Sequence, residues 1–192
     1  MIAVTGYNST IVQELKAFLP DGELVTRIDH EPPACDRFLF CAGVLHPKTI
    51  LQQTAGEIIE TLMVNAIDPI QYCERILGEN DRARICVIGS ESGYSWSHNG
   101  TYAAAKAAVH KYIETKKLKP QQQLVGIAPS IIGDTGMTER RTDLDNLDAR
   151  RQAHPKQRFL KAAEVARLVH FLLYQDEGYL TGTVIRLNGG GR

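Results

Sequence analysis

The chain has 192 residues, 43% of them hydrophobic, and 22 Lys plus Arg balance 22 Asp plus Glu. That length supports one hydrophobic core and is tight for two, so a single domain over residues 1–192 is expected. Zero formal charge argues against a nucleic-acid partner, which a basic excess would serve, and no apolar run reaches the length of a membrane span.

The opening MIAVTGYNST has no basic segment followed by a long apolar one, so a cytoplasmic protein with no membrane partner is expected. Ile2 to Thr5 is a short apolar run ending in Gly6, which reads as a buried strand entering a turn. From Thr10 to Leu19 the apolar residues fall at helical spacing (Ile11, Leu15, Phe18, Leu19), and Pro20-Asp21-Gly22 stops the helix. Leu24 to Asp29 is a second strand, and Phe38 to Cys41 is a third that closes on Ala42-Gly43. A long helical pattern runs from about Ala55 to Leu77, and Ile85 to Ile88 is a buried strand ending at Gly89-Ser90. A helix over roughly Thr101 to Lys117 precedes the strand Val125 to Ala128, which Pro129 breaks. Ala162 to Tyr174 is helical, and Thr183 to Leu187 forms a last strand before Asn188-Gly189-Gly190-Gly191. Apolar strands alternating with helices predict an α/β fold, a doubly wound parallel sheet covered on both faces. Ligands of such sheets bind beyond the carboxyl ends of the strands.

Two stretches are irregular. Between Asp29 and Phe38 stand only a few residues, including Pro32 and Pro33, where a parallel crossover normally takes a dozen or more and a helix. A trimmed fold, crossing back in extended chain, is expected there. The segment Asp134 to Arg158 is crowded with both charge signs, and reads as a solvated loop or short surface helix, or as a lid over a substrate pocket. The cysteines Cys35, Cys41, Cys73 and Cys86 form no C-x-x-C pair, and no metal site is expected.

The chemistry centres on Tyr102 and Lys106, whose i, i+4 spacing puts both on one helix face. A free tyrosine titrates near ~10, and a neighbouring ammonium lowers that value by favouring the phenolate. A phenol so tuned can exchange a proton with an alcohol or carbonyl oxygen. Alone, the spacing is weak evidence, because many helices carry such pairs on their surface. Ser90, just past a buried strand, is placed to hydrogen-bond a substrate oxygen, or is simply a turn residue. Asn65 sits in mid-helix with Pro69 four residues on, which removes the partner of the Asn65 carbonyl and leaves it for a bound water or a mere kink.

Together these pieces resemble the short-chain dehydrogenase/reductase family, in its order: Thr5-Gly6, then Cys41-Ala42-Gly43 where the family has N-N-A-G, then Asn65. Ser90 in G-S-x-x-G, Tyr102 with Lys106, Pro129-Ser130-Ile131-Ile132-Gly133 and the closing Leu180-Thr181-Gly182 with Asn188-Gly189-Gly190 follow. The resemblance implies a Rossmann-like sheet, six-stranded through the trimming, and an enzyme using NAD or NADP on a small carbonyl or alcohol. It implies Tyr102 as acid/base, Ser90 orienting the substrate oxygen, Lys106 tuning the phenol and binding ribose, and Asn65 holding a relay water. Cofactor contacts are implied for Gly6, Asn8, Ser9, Thr10, Ile11, Asp29, Ala42, Gly43, Tyr102, Lys106, Pro129 and Ile132. The family's glycine loop appears as Thr5-Gly6-Tyr7-Asn8-Ser9-Thr10-Ile11-Val12, with Thr10 and Val12 where glycines stand, which crowds the phosphates. Asp29 favours NAD by repelling a 2′-phosphate, and Arg27 would favour NADP. A catalytically silent dinucleotide sensor of the same fold is the alternative, and a structural subunit without cofactor a third. The two long helices resemble those that pair family members into homodimers or homotetramers.

Overall fold

The computed structural model describes residues 1–28, 32–95, 97–139 and 144–191. Six strands are found among them: β1 (Ile2–Thr5), β2 (Val25–Arg27), β3 (Arg37–Phe40), β4 (Arg84–Ile88), β5 (Gln123–Pro129) and β6 (Thr183–Leu187). The helices are α1 (Thr10–Lys16), α2 (Ala55–Leu62), α3 (Asp68–Glu79), α4 (Gly100–Thr115), α5 (Gly136–Glu139), α6 (Leu144–Ala153) and α7 (Ala162–His170). All strand pairs are parallel and the sheet order is β2-β1-β3-β4-β5-β6.

The inner strands β1, β3, β4 and β5 are mainly apolar because both faces are covered, and their period of two sorts the side chains into two cores. In β4, Ile85 and Val87 join Cys73, Ile76, Val109 and Ile113 of α3 and α4. Cys86 and Ile88 point the other way, to Ile11, Val12 and Leu15 of α1 and Val165, Ala166 and Val169 of α7. Each fully buried aliphatic side chain contributes roughly 1.5–3 kcal/mol by leaving water, so truncating Ile85 or Leu39, both 0% exposed, would open the sheet's centre.

The trimmed crossover is real. Ile2 pairs with both Val25 and Arg37, so the chain passes from one side of β1 to the other through residues 28–36. At about 3.3 Å per residue an extended link of that length suffices. The second strand is shorter than expected, and Asp29, predicted to end it, lies outside the described residues.

Two expected helices are interrupted. The pattern from Ala55 to Leu77 breaks into α2, a π-helical turn at Met63–Ile67, and α3, with the Asp68 N–H reaching back to the Met63 carbonyl. Pro69 explains it: a residue without an N–H cannot continue the i→i−4 ladder, and a wider turn absorbs the defect. The pattern from Ala162 to Tyr174 likewise ends in a π-helical turn, Phe171–Gln175, that nothing in the local sequence predicts. Within Asp134 to Arg158 the described residues form α5 and α6. Among the described residues no helix is long and apolar enough to cross a membrane.

Candidate active site

The carboxyl ends of the strands open into a cavity of about 720 Å³. Gly6, Asn8, Ser9, Thr10, Ile11, Ala42, Gly43, Ser90, Tyr102, Lys106, Pro129 and Ile132 all line it, so most of the predicted positions converge. Asn65 lines an adjoining cavity of about 280 Å³ with Arg27, Asp68, Tyr72 and, again, Lys106.

Tyr102 is held by the start of its own helix. Asn99 is the N-cap of α4, and its Oδ1 accepts the Tyr102 N–H at 2.8 Å, while its Nδ2 donates to the His46 carbonyl. One turn on, Lys106 is 4% exposed, donates from Nζ to the Ile88 carbonyl at 2.9 Å, and stands 5.6 Å from the centre of the Tyr102 ring. Ser90, in extended conformation at the exit of β4, accepts the Ser92 N–H at 3.2 Å on its hydroxyl. That acceptor contact leaves the hydroxyl proton free to face the Tyr102 phenol, whose titration the Ser90 hydroxyl acts to lower.

The electrostatics differ from expectation. Burial pushes the Tyr102 phenol up to about 12, and the Ser90 hydrogen bond only partly opposes this. The expected lowering by Lys106 does not occur. The amine is itself buried, which brings it down to about 8, and it is turned to a carbonyl rather than to the phenol oxygen.

Asn65 falls within the π-helical turn at Met63–Ile67 and is 1% exposed. Its Nδ2 donates to Val44 O at 2.8 Å and Thr61 O at 2.9 Å. Its Oδ1 is buried with no partner among the described residues. A Cβ on Gly43 would come within 3.1 Å of that oxygen, so glycine keeps the space open. A buried acceptor left open beside a cavity is what a bound water or cofactor group would complete.

The loop after β1 is built by its own contacts. Gly6 has φ +64°, and a Cβ there would lie 2.8 Å from Ala42 N, so this glycine is required by the neighbouring strand exit as well as by its backbone angle. Thr5 Oγ1 ties the same exit, accepting the N–H groups of Cys41 and Ala42 at 3.0 and 3.1 Å. The Ser9 hydroxyl caps α1 by accepting Val12 N–H and meets Cys41 Sγ at 3.3 Å, so it is engaged within the protein. Val12, in place of a glycine, is fully buried between α1 and the sheet. Across the cavity stand Thr135, Met137 and Thr138 of the segment around α5, with Arg150 and His154 near and beyond the end of α6.

Sequence reasoning missed Asn99 and His110, and it read Thr5 as part of the loop motif without its tie to the third strand's exit. An Asn three residues before Tyr102 is a readable cap signal, and His110 continues the Tyr102–Lys106 spacing by another four. The Thr5 contact depends on two strands meeting and leaves no local trace.

A family model described as Enoyl-(Acyl carrier protein) reductase matches residues 22–191. The chain is 34% identical over 139 residues to the 3-oxoacyl-[acyl-carrier-protein] reductase MabA of Mycobacterium bovis, covering 70% of this chain and 55% of that relative. It is 35% identical over 157 residues to the 3-oxoacyl-[acyl-carrier-protein] reductase FabG of Haemophilus influenzae, covering 78% of this chain and 64% of the relative. The chain thus spans less than two thirds of the length of these relatives. Its fold is similar to that of a short chain dehydrogenase family protein from Francisella tularensis, with TM-score 0.85 at 19% identity over 98% of this chain and 97% of that one. With the family's motifs in order on its characteristic sheet, the chain belongs to the short-chain dehydrogenase/reductase family.

Proposed function

We propose that this chain, acting as one cytoplasmic domain, is an NAD(P)-dependent oxidoreductase that interconverts a small alcohol and carbonyl, with Tyr102 as acid/base. The observation that carries this reading is the convergence of Tyr102, Ser90 and Lys106 on one 720 Å³ cavity beyond the strand ends. The open Oδ1 of Asn65 and the glycine positions at Gly6 and Gly43 fit a dinucleotide lying along the same cavities. When bound, the nicotinamide dinucleotide supplies or receives the hydride equivalent.

The chain's residues handle the proton. Tyr102, raised to about 12 by burial, is a neutral phenol through the physiological range, so its resting role is to donate a proton to a carbonyl oxygen. That is the protonation state from which a carbonyl is reduced. Oxidation needs the phenolate, which burial opposes and the Ser90 hydrogen bond favours. Ser90 orients the same oxygen, Lys106 carries positive charge beside both cavities and would bind the ribose, and Asn65 would hold the water that returns a proton to Tyr102. The printed names of the relatives make a 3-oxoacyl thioester the first substrate to test.

NAD is proposed ahead of NADP on the charge of Asp29. Arg27, in the wall of the second cavity, is the residue that would reverse this choice. A homodimer or homotetramer is proposed, supported by the exposed Ile59, Met63 and Ile67 along α2 and its π-helical turn, 61%, 39% and 41% accessible. Thr10 and Val12 in the glycine loop keep a second reading in view, a sensor that binds dinucleotide without turnover.

Titration with NADH and NADPH, followed by carbonyl reduction by wild type and Tyr102→Phe, separates the two. The oxidoreductase reading expects turnover that the substitution lowers by about 10³-fold with cofactor binding intact. Binding by wild type without turnover of any carbonyl class would establish the sensor.

A further inference from the structure

His110 lies on α4 one turn beyond Lys106 and two beyond Tyr102, and no step proposed so far uses it. It is 2% exposed. Its Nε2 accepts the Ser90 N–H at 3.3 Å, and its ring stacks on Tyr94 with centroids 4.6 Å apart. The imidazole fills a slot made by two glycines. A Cβ on Gly89 would stand 2.3 Å from Nε2, and one on Gly93 2.6 Å from Cε1, so a side chain at either place would expel the ring.

The three residues at the exit of β4 are each gripped differently. The Ile88 carbonyl accepts from Lys106, the Gly89 N–H goes to Ile127 O at 2.7 Å on β5, and the Ser90 N–H goes to His110. A sheet neighbour cannot supply the last bond, because the chain turns away into the helical turn at Glu91–Gly93. Accepting at Nε2 places the proton of the neutral ring on Nδ1, which has no partner among the described residues. An aliphatic side chain would fill the slot without that unsatisfied donor but would leave the Ser90 amide bare. The acceptor is what the slot requires. Lys106 and Glu91 are the charged groups that act on the ring, with opposite effects, and burial with Lys106 holds the ring neutral down to about pH 4.

We propose that His110 is the positioning residue for Ser90: its neutral imidazole holds the Ser90 amide and thereby aims the Ser90 hydroxyl at the Tyr102 phenol. The proposal rests on the reading of Tyr102 and Ser90 as the reacting pair, and its test is chosen to stand apart from that reading. His110→Met and His110→Gln are close in shape, and only glutamine offers an acceptor at the place of Nε2. Thermal midpoints first establish that both fold. In the protein without added cofactor, Ser90 amide exchange and the Tyr102 phenol titration are then followed by NMR. His110→Met should exchange the Ser90 amide about tenfold faster and push the phenol titration upward, with glutamine near wild type. With NADPH and an acetoacetyl thioester, kcat should fall about tenfold in His110→Met at unchanged KM for NADPH, and recover in His110→Gln. Unchanged Ser90 exchange in His110→Met, unchanged kcat, or glutamine no better than methionine overturns the proposal. If wild type reduces nothing, the oxidoreductase reading falls, and the exchange and phenol measurements alone decide the role of His110.

Discussion

The two π-helical turns make an instructive contrast. Met63–Ile67 lies at the ligand end of the sheet and Phe171–Gln175 at the opposite end, and each interrupts a helix by the same backbone device. At the second turn, side chains from the starts of β3 and β4 close what the turn opens. Arg37 Nε donates to Leu173 O at 3.0 Å, and Arg84 Nη2 donates to Leu172 O at 2.8 Å while its Nε meets Gln123 Oε1 at 2.9 Å. Tyr174 then stacks under the Arg37 guanidinium, 4.5 Å from its ring centre. At the first turn the buried Asn65 satisfies two carbonyls with its amide nitrogen and leaves its oxygen open to the cavity side. One turn is saturated and the other is not. Since buried polar groups are nearly always paired, the open one is where the proposed water or cofactor group would bind.

The contrast can be broken by experiment. The largest effect is expected from Arg84→Ala, which strips the saturated turn of its guanidinium. Chemical denaturation should register a loss of about 3 kcal/mol, since hydrogen bonds to a charged group are the stronger kind, while kcat of the folded fraction stays within twofold. A kcat loss as large as the stability loss would mean the two ends of the sheet are not separable. Next comes Asn65→Ala, which should lower kcat by about 10²-fold, equivalent to ~2.7 kcal/mol. Its stability cost, from the bared Val44 and Thr61 carbonyls, should stay near 1–2 kcal/mol. Should Asn65→Ala lower stability alone, the first turn would be as purely structural as the second.

The smallest effect is one of pH, and it belongs to the site side alone. His110 is held near 4 in the folded chain by burial and by Lys106, against ~6.5 in the unfolded one. Between those values the unfolded state binds a proton that the folded state refuses, so stability falls as the pH drops from ~6.5 toward 4. By pH 5.5 the loss should be about 1 kcal/mol. His110→Gln should flatten that part of the curve, whereas Arg84→Ala should shift it without changing its shape.

Much of this was readable before any coordinates. The apolar strand runs, Gly6 at the first turn and the order of Ser90, Tyr102 and Lys106 are local features, and period and spacing place them on their elements. Pro69 marked a defect in the first long helix, because the missing N–H is visible in the chain itself, although its form as a π-helical turn was not. The second turn has no such marker. It depends on Arg37 and Arg84, far away in sequence, arriving beneath Leu173 and Leu172.

The same division holds for the chemistry. The sequence by itself determined that a phenol and an amine share one helix face, since helical geometry alone fixes residues four apart. It also determined that the crossover after the second strand is short, because too few residues stand there for a helix. Only the tertiary structure decided what those groups are worth. Burial set the phenol to about 12 and the amine to about 8, reversing a sign that adjacency alone had suggested. The fold also turned Lys106 to the Ile88 carbonyl and slid His110 between two glycines. Solvation and partners come from neighbours distant in the chain, and no local pattern encodes them.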